Sequence, residues 1–345
     1  MRPSQPLRFV AKLALTGAVF TLMLRHPIDL DGVQVSVWQA IHDRLHEVPW
    51  RQAVPWLLLA MGLKGLGILA AIVRWQLLLR GQGMRFELRH VAGSFMIGRF
   101  LGTFLPGTLG LDGYKLYDAS HFGGRTAEPA AATAVEKMLG LGGMSLTYLL
   151  FAPVGYTILG PWAGWVLLIT VPSGCLGLGL LLLGLGRPSW LQTMAARLAP
   201  RLRSSWRPRL LAFADGVAAY RGRGQLLGLG LLLSLVVHSS TAVVYDLTAR
   251  AIGAHGASFG EVVFASSIQI FATVFSPFTL AGEGVREMVQ ALLLGKRMGE
   301  TASILSAALG FWAAEAPTLL GGLIWLSRRR GYRPSYSFVA PTRSS

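Results

Sequence analysis

The chain has 345 residues, 52% of them hydrophobic and only 14% charged, with a net charge of +16. Soluble proteins carry about 25% charged residues, so the composition excludes an ordinary soluble domain and points to a lipid bilayer. The lone cysteine, Cys175, excludes an intramolecular disulfide, and the chain holds no P-loop, HExxH, GxSxG or metal-ligand cluster.

Long apolar runs predict helices that cross about 30 Å of hydrocarbon. The first, 7–24, follows Arg2 and Arg8. It reads as a span and not a signal peptide, because Lys12 lies inside it and no small-x-small cleavage site follows. In segment 33–48, Val33, Val37, Trp38, Ile41, Leu45 and Val48 fall on roughly one helical face, which predicts an amphipathic surface helix. Span 52–78 contains Lys64 and leads into a basic loop, 79–90. An apolar stretch at 91–106 stops short at a Pro/Gly motif, and spans 130–151 and 163–184 follow, joined by the uncharged loop 152–162. Segment 187–223 carries eight arginines, and its residues 201–220 mix Leu202, Trp206, Leu210, Leu211 and Val217 with them, as an interfacial helix would. Span 226–249 holds His238 and Asp246, which read as packing residues. A second shortened stretch, 259–276, ends at another Pro motif, and span 302–326 precedes a basic tail, 328–345. The predicted fold is all-α: a polytopic integral membrane bundle of about six full spans plus two re-entrant hairpins, since lipid leaves only helices and closed barrels as spanning structures.

The two interrupted stretches carry nearly the same text. Phe104-Leu-Pro-Gly-Thr-Leu-Gly-Leu-Asp-Gly-Tyr-Lys115 aligns at a constant offset of 171 with Phe275-Ser-Pro-Phe-Thr-Leu-Ala-Gly-Glu-Gly-Val-Arg286. A fainter echo pairs Glu136 and Leu141-Gly-Gly143 with Glu315 and Leu320-Gly-Gly322. Broken hydrophobic segments in corresponding positions of two halves point to a transporter's substrate site.

Short-loop charge fixes an expected orientation. The N-terminus, loop 79–90, segment 187–223 and the tail are basic and should be cytoplasmic; segments 26–50 and 152–162 should be outside. Residues 91–128 must then enter from the cytoplasm and 258–298 from outside, so the halves 52–151 and 226–326 form an inverted repeat. Lys296 and Arg297 fall on the outer side, against the rule. The same arrangement places the arginine clusters beside membrane spans, where they set topology and attract anionic lipid headgroups; a nucleic-acid partner is not expected.

At the tips, proline removes a donor and glycine permits the turn, which suits Pro106, Gly107, Gly110 and Gly113 in one copy and Pro277, Gly282 and Gly284 in the other. Freed helix ends there attract anions. Lys115 and Arg286 add a positive charge to each tip, with Asp112 and Glu283 one turn earlier. A charge at membrane depth costs about 2.5–3.5 kcal/mol, so such residues mark a pathway more often than they decorate one. The bland alternative is that each acid–base pair neutralises itself at an interface. Further candidates are Arg74, Arg99, Glu136, Lys137, Glu287 and Glu315: Arg74 and Lys137 can instead snorkel, and Glu315 beside Pro317 is deep and unpaired by sequence.

Four motifs carry a family likeness: Arg74-Trp75…Leu78 before Gly83, Leu105-Pro-Gly-Thr-Leu-Gly-Leu-Asp112…Lys115, Val135-Glu136-Lys137…Gly140-Leu141, and Pro277…Gly282-Glu-Gly-Val-Arg-Glu287. Together, over about 7–327, they resemble the flippase-like transmembrane domain of lysylphosphatidylglycerol synthases and its stand-alone relatives. Lysine stands where that pattern has arginine at 115 and 137, and Leu111 replaces its second glycine. A lysine offers no bidentate fork to phosphate, so headgroup preference should differ. The resemblance also implies that a soluble aminoacyl-transfer domain would follow in a synthase. None follows residue 327 here, so the chain is not expected to aminoacylate lipids by itself.

The sequence reading is therefore a bacterial inner-membrane lipid translocase without a cofactor, moving an anionic or amphipathic lipid past the two tips, with both termini cytoplasmic. A membrane-embedded lipid-phosphate transferase and an accessory subunit docking a lipid-synthesis enzyme are the rivals; a homo-oligomer stays open.

Overall fold

The computed structural model describes residues 21, 25, 27–30, 33–103, 109–186, 189–201, 207–275, 284–328 and 332–339. Span 7–24 and the tip residues Pro106, Gly107, Pro277, Gly282 and Glu283 lie outside the described residues. The described chain is an all-α bundle with two small antiparallel sheets.

The first sheet corrects the sequence reading. Residues 33–48 are not one helix: Val33–Ser36 is a strand paired with Pro27–Leu30, and helix α1 spans only Val37–Glu47. Ser36 stops the strand and caps the helix, its Oγ accepting from Gln39 N at 3.2 Å. Helix α2 (Trp50–Gly81) is 32 residues long with mean hydropathy 2.1 over its most apolar window, which makes it about 48 Å long at the usual rise. Then come α3 (Leu88–Gly102), α4 (Leu109–Gly123), α5 (Ala127–Phe151), α6 (Ala163–Gly186), α7 (Ser189–Leu198) and α8 (Arg207–Ala218). The interfacial helix expected over 201–220 is thus α8, starting at Arg207; Leu202 and Trp206 lie outside the described residues. The chain ends in α9 (Gly224–Ala251), α10 (Phe259–Phe275), α11 (Val285–Met298), α12 (Glu300–Glu315) and α13 (Leu319–Ser327). Span 302–326 is therefore bent: Pro317 breaks it into α12 and α13 through a 3₁₀ turn at Ala316–Thr318, as a proline without a donor must.

Helices α2 and α9 pack along each other and form the centre. Helices α3 and α4 form one hairpin, α10 and α11 a second, and each first arm packs on the last span of the other half: α3 on α13, α10 on α5. The open ends of the hairpins face opposite ends of the bundle. His90 and Asp118 meet beside Arg328, near the second sheet, in which Met84–Phe86 pairs with Tyr336–Phe338. At the other end, Arg297 bridges Glu261 at 3.3 Å and donates to the Thr157 carbonyl at 2.8 Å. Loop 79–90 and the tail thus share one end; segment 152–162 shares the other with Arg297, which finds its counter-charge there.

Among the described residues, four helical segments are long and apolar enough to cross a membrane: Trp50–Gly81, Ala127–Leu159, Gly224–Ala251 and Glu300–Ser327. Leu58, Leu69, Leu150, Trp312 and Leu326 are more than half exposed on them. In water such a surface would aggregate; in lipid it faces its natural solvent.

Close packing depends on small residues. A Cβ at Gly321 of α13 would overlap the Met96 carbonyl oxygen of α3 and approach Phe100 Cβ to 2.9 Å. Gly321→Leu is expected to lower stability by about 1–3 kcal/mol, the usual cost of overpacking, and thermal melting of detergent-solubilised protein checks it.

Candidate functional site

The candidate residues gather into three charged groups strung along the central helices. The first centres on Glu136 of α5. Its carboxylate accepts from Lys115 Nζ of α4 at 2.5 Å and from Arg74 Nη2 of α2 at 3.1 Å. Arg74 also donates to Ser234 Oγ of α9 at 2.6 Å. All three charged residues are buried, and the Lys115 ammonium lies 4.6 Å from the Trp75 ring and 5.3 Å from Phe95. The aromatic faces replace part of the hydration that burial removed. Asp112 extends the group, 3.5 Å from Lys115 and 2.6 Å from Lys137. Lys137 is nearly half exposed, while its neighbour Glu136 points inward. Two cations on one buried carboxylate leave the group with surplus positive charge inside the bundle. The Arg74 Nε is buried without a hydrogen-bond partner.

The second group joins the halves. Arg99 of α3 donates to both oxygens of Glu315 of α12, at 2.8 and 2.9 Å. Glu315 is therefore paired, and Arg99 has a counter-charge that no sequence repeat supplied. Lys64 of α2 lies within electrostatic reach of both and donates to Thr241 Oγ1 of α9 at 2.8 Å. His238, beside the Gly140 backbone, sits within reach of Lys64, Arg74 and Lys137, between the first two groups.

The third group is in the second hairpin. Gly284, with φ of +82°, starts α11 in a conformation open to glycine, and its N–H donates to Glu287 Oε2 at 2.8 Å. Glu287 Oε1 accepts from Arg286 Nε at 3.0 Å, and the Arg286 guanidinium lies 3.9 Å from the Phe311 ring. Both residues are buried. Gln290 ties this arm to α10 through Gln269 and Ser266. Tyr245 of α9 lies within reach of Arg286, Glu287 and Glu315 and so connects the third group to the second.

Lys115 and Arg286, matched in sequence, are thus both buried on the second arm of a hairpin, each against its own carboxylate and aromatic ring. Gly110 lies against the Gly102 backbone, where α4 crosses α3, and Gly113 is in open space. Sequence reasoning passed over two features. One is the polar edge of α9, where Ser234 and Thr241 receive Arg74 and Lys64 seven residues apart. That edge was legible as hydroxyls at helical spacing within an apolar span. The other is the His90–Asp118–Arg328 cluster, whose members lie up to 238 residues apart and carry no local motif. Asp246 forms an intrahelical ion pair with Arg250 at 2.7 Å.

Residues 9–330 match the family described as Lysylphosphatidylglycerol synthase TM region. No curated protein matches the chain. The match and the four spanning segments together make the chain a multi-pass membrane protein linked to lipid modification or transport.

Proposed function

The chain belongs to the lysylphosphatidylglycerol synthase TM region family, and we propose that it moves an anionic lipid between the leaflets of a bacterial inner membrane. The observation that carries this reading is the matched pair of buried cations, Lys115 and Arg286, 1% and 3% exposed in hairpins that open at opposite ends of the bundle. A buried charge in a membrane domain is costly, and one in each half, at the same motif position, favours a headgroup site over two accidental ion pairs. The carboxylates Glu136 and Glu287 hold the cations between substrate encounters, and Asp112, Glu283 and Glu315 balance the remaining charge. The two halves act as an inverted repeat that rocks about the hairpin tips to give alternating access. In this reading the tail, loop 79–90 and segment 187–223 face the cytoplasm and anionic headgroups there.

The direct test is a reconstituted flip assay. Liposomes of phosphatidylcholine and phosphatidylglycerol carry a trace of NBD-labelled phosphatidylglycerol, and dithionite reports outer-leaflet label. The chain is expected to move the label well above the protein-free rate; equal rates in the two preparations overturn the proposal.

A further inference from the structure

We propose that a proton route runs from the tail-facing mouth of the first hairpin to Glu136, through Tyr332, His90, Asp118, a water-sized cavity and Lys115. The inference rests on the lipid-translocation reading and deepens it by naming the ion coupled to the headgroup.

The route is continuous in the structure. Tyr332, partly exposed on the tail, places its hydroxyl 3.2 Å from His90 Nδ1. His90 Nε2 lies 2.8 Å from Asp118 Oδ2. His90, Asp118, Ser94 and Lys115 then line one small cavity, floored by Trp75, with room for about one water molecule. On its far side Lys115 Nζ reaches Glu136 Oε2. Between the tail and Glu136 every ionisable member is at least nine-tenths buried.

Structure alone accounts for part of this. Arg328 donates to Asp118 at 3.2 Å and to the His90 carbonyl at 2.9 Å, so the cluster fastens the tail to the hairpin. It does not account for Ser94, whose buried hydroxyl has no partner. Such an orphan costs about 1–3 kcal/mol unless something meets it. A water in the adjoining cavity would satisfy Ser94 and bridge the carboxylate on one wall to the ammonium on the other.

The transfers balance with one proton. His90 Nδ1 accepts it from the tail side, and Nε2 passes its own proton to Asp118 Oδ2. Asp118 hands it to the cavity water. The water gives a proton to Lys115 Nζ as that ammonium releases one to Glu136 Oε2. Asp118, the water and Lys115 return to their starting states; His90 is left as its Nδ1–H tautomer, which a ring flip resets before the next proton, and Glu136 ends as a neutral carboxyl. The charges facing this line are Arg328 and Tyr114 beside Asp118, Arg74 against Glu136, and Asp112 against Lys115 and Lys137. Neutral Glu136 leaves Arg74 without a carboxylate and Lys115 with only the more distant Asp112, at 3.5 Å, so both can take an anionic headgroup. Proton arrival and headgroup binding thereby favour each other.

The test uses the same liposomes, now with entrapped pyranine, an outside-acid pH step and valinomycin to clamp the potential. The full chain is expected to acidify the lumen while moving the labelled lipid. Ser94→Ala removes a hydroxyl that bonds to nothing in the protein, so it should leave melting unchanged yet slow acidification several-fold. His90→Phe should slow it by about a hundredfold, at the low end of what a positioned proton-transfer group contributes. Arg125→Ala, which removes only the guanidinium stacked on Phe338 of the tail and its pair with Glu128, should match the parent. Parental rates in both Ser94→Ala and His90→Phe overturn the route. Lipid movement without acidification overturns the route and leaves translocation standing; acidification without lipid movement does the reverse; neither overturns both.

Discussion

Glu136→Ala is expected to destabilise the chain by about 3–5 kcal/mol, the cost of leaving buried charges without their partner. The carboxylate is 4% exposed and is the counter-charge that Arg74 and Lys115 share. Its removal strands two cations from two other helices, α2 and α4, in a medium that cannot solvate them. Ser234 gives Arg74 a neutral acceptor and Asp112 stays 3.5 Å from Lys115, so some compensation survives. The loss should therefore approach the lower end of that range and appear as a large drop in melting temperature in detergent. The triple change Arg74→Met, Lys115→Met and Glu136→Met is expected to melt close to the parent, because replacing a whole buried ion cluster with apolar groups of similar volume is often neutral or stabilising. That variant should nonetheless fail to move lipid. Persistence of transport in it would make the cluster a packing device and remove the first hairpin from the proposed function.

Much of the fold was legible because membrane depth imposes strong rules. Spans 52–78, 130–151 and 226–249 announced themselves by apolar length, whereas span 302–326 was read as continuous and the break at Pro317 was not anticipated. The strand at Val33–Ser36 was misread as helix because Val37, Ile41, Leu45 and Val48 carry a strong 3.6-residue period that was extended too far back. Asp31-Gly32, between the two strand sequences, is a dipeptide that favours hairpin turns and outranks periodicity over so short a run. Charge type and depth marked Lys115, Glu136, Arg286 and Glu315 as candidates, and the first three are buried, but sequence could not assign partners. Arg99 and Glu315 lie 216 residues apart and meet only because α3 packs across the other half. The same limit hid His90 and Asp118: each is ordinary in its own helix, and they meet only once α3 and α4 pack as a hairpin.

Lys115→Ala combined with Arg286→Ala is expected to reduce lipid movement to the protein-free background while the protein still folds. Each cation, as a charge-assisted donor to a phosphate, contributes about 1.5–3 kcal/mol, so losing both removes roughly 3–6 kcal/mol from the complex with the headgroup. The cost to folding should be smaller than that of Glu136→Ala, because neither substitution orphans a carboxylate. Glu136 retains Arg74, and Glu287 retains the Gly284 N–H. Flip rate and stability thus separate in opposite senses in the two experiments: Glu136→Ala loses folding first, the double cation variant loses transport first. Headgroup charge sharpens the comparison, since NBD-labelled phosphatidylglycerol should lose far more rate than an NBD-labelled phosphatidylcholine, whose choline offsets its phosphate. Lys115→Arg tests the remaining chemistry. It keeps the charge but brings a planar fork where the burial of Lys115 between Trp75 and Phe95 left room for a compact ammonium, so it should restore transport in part and change headgroup preference. A double cation variant that melts like the parent and flips lipid at the parental rate would show that the buried cations serve packing, and the headgroup would have to be sought at Arg99 and Lys64.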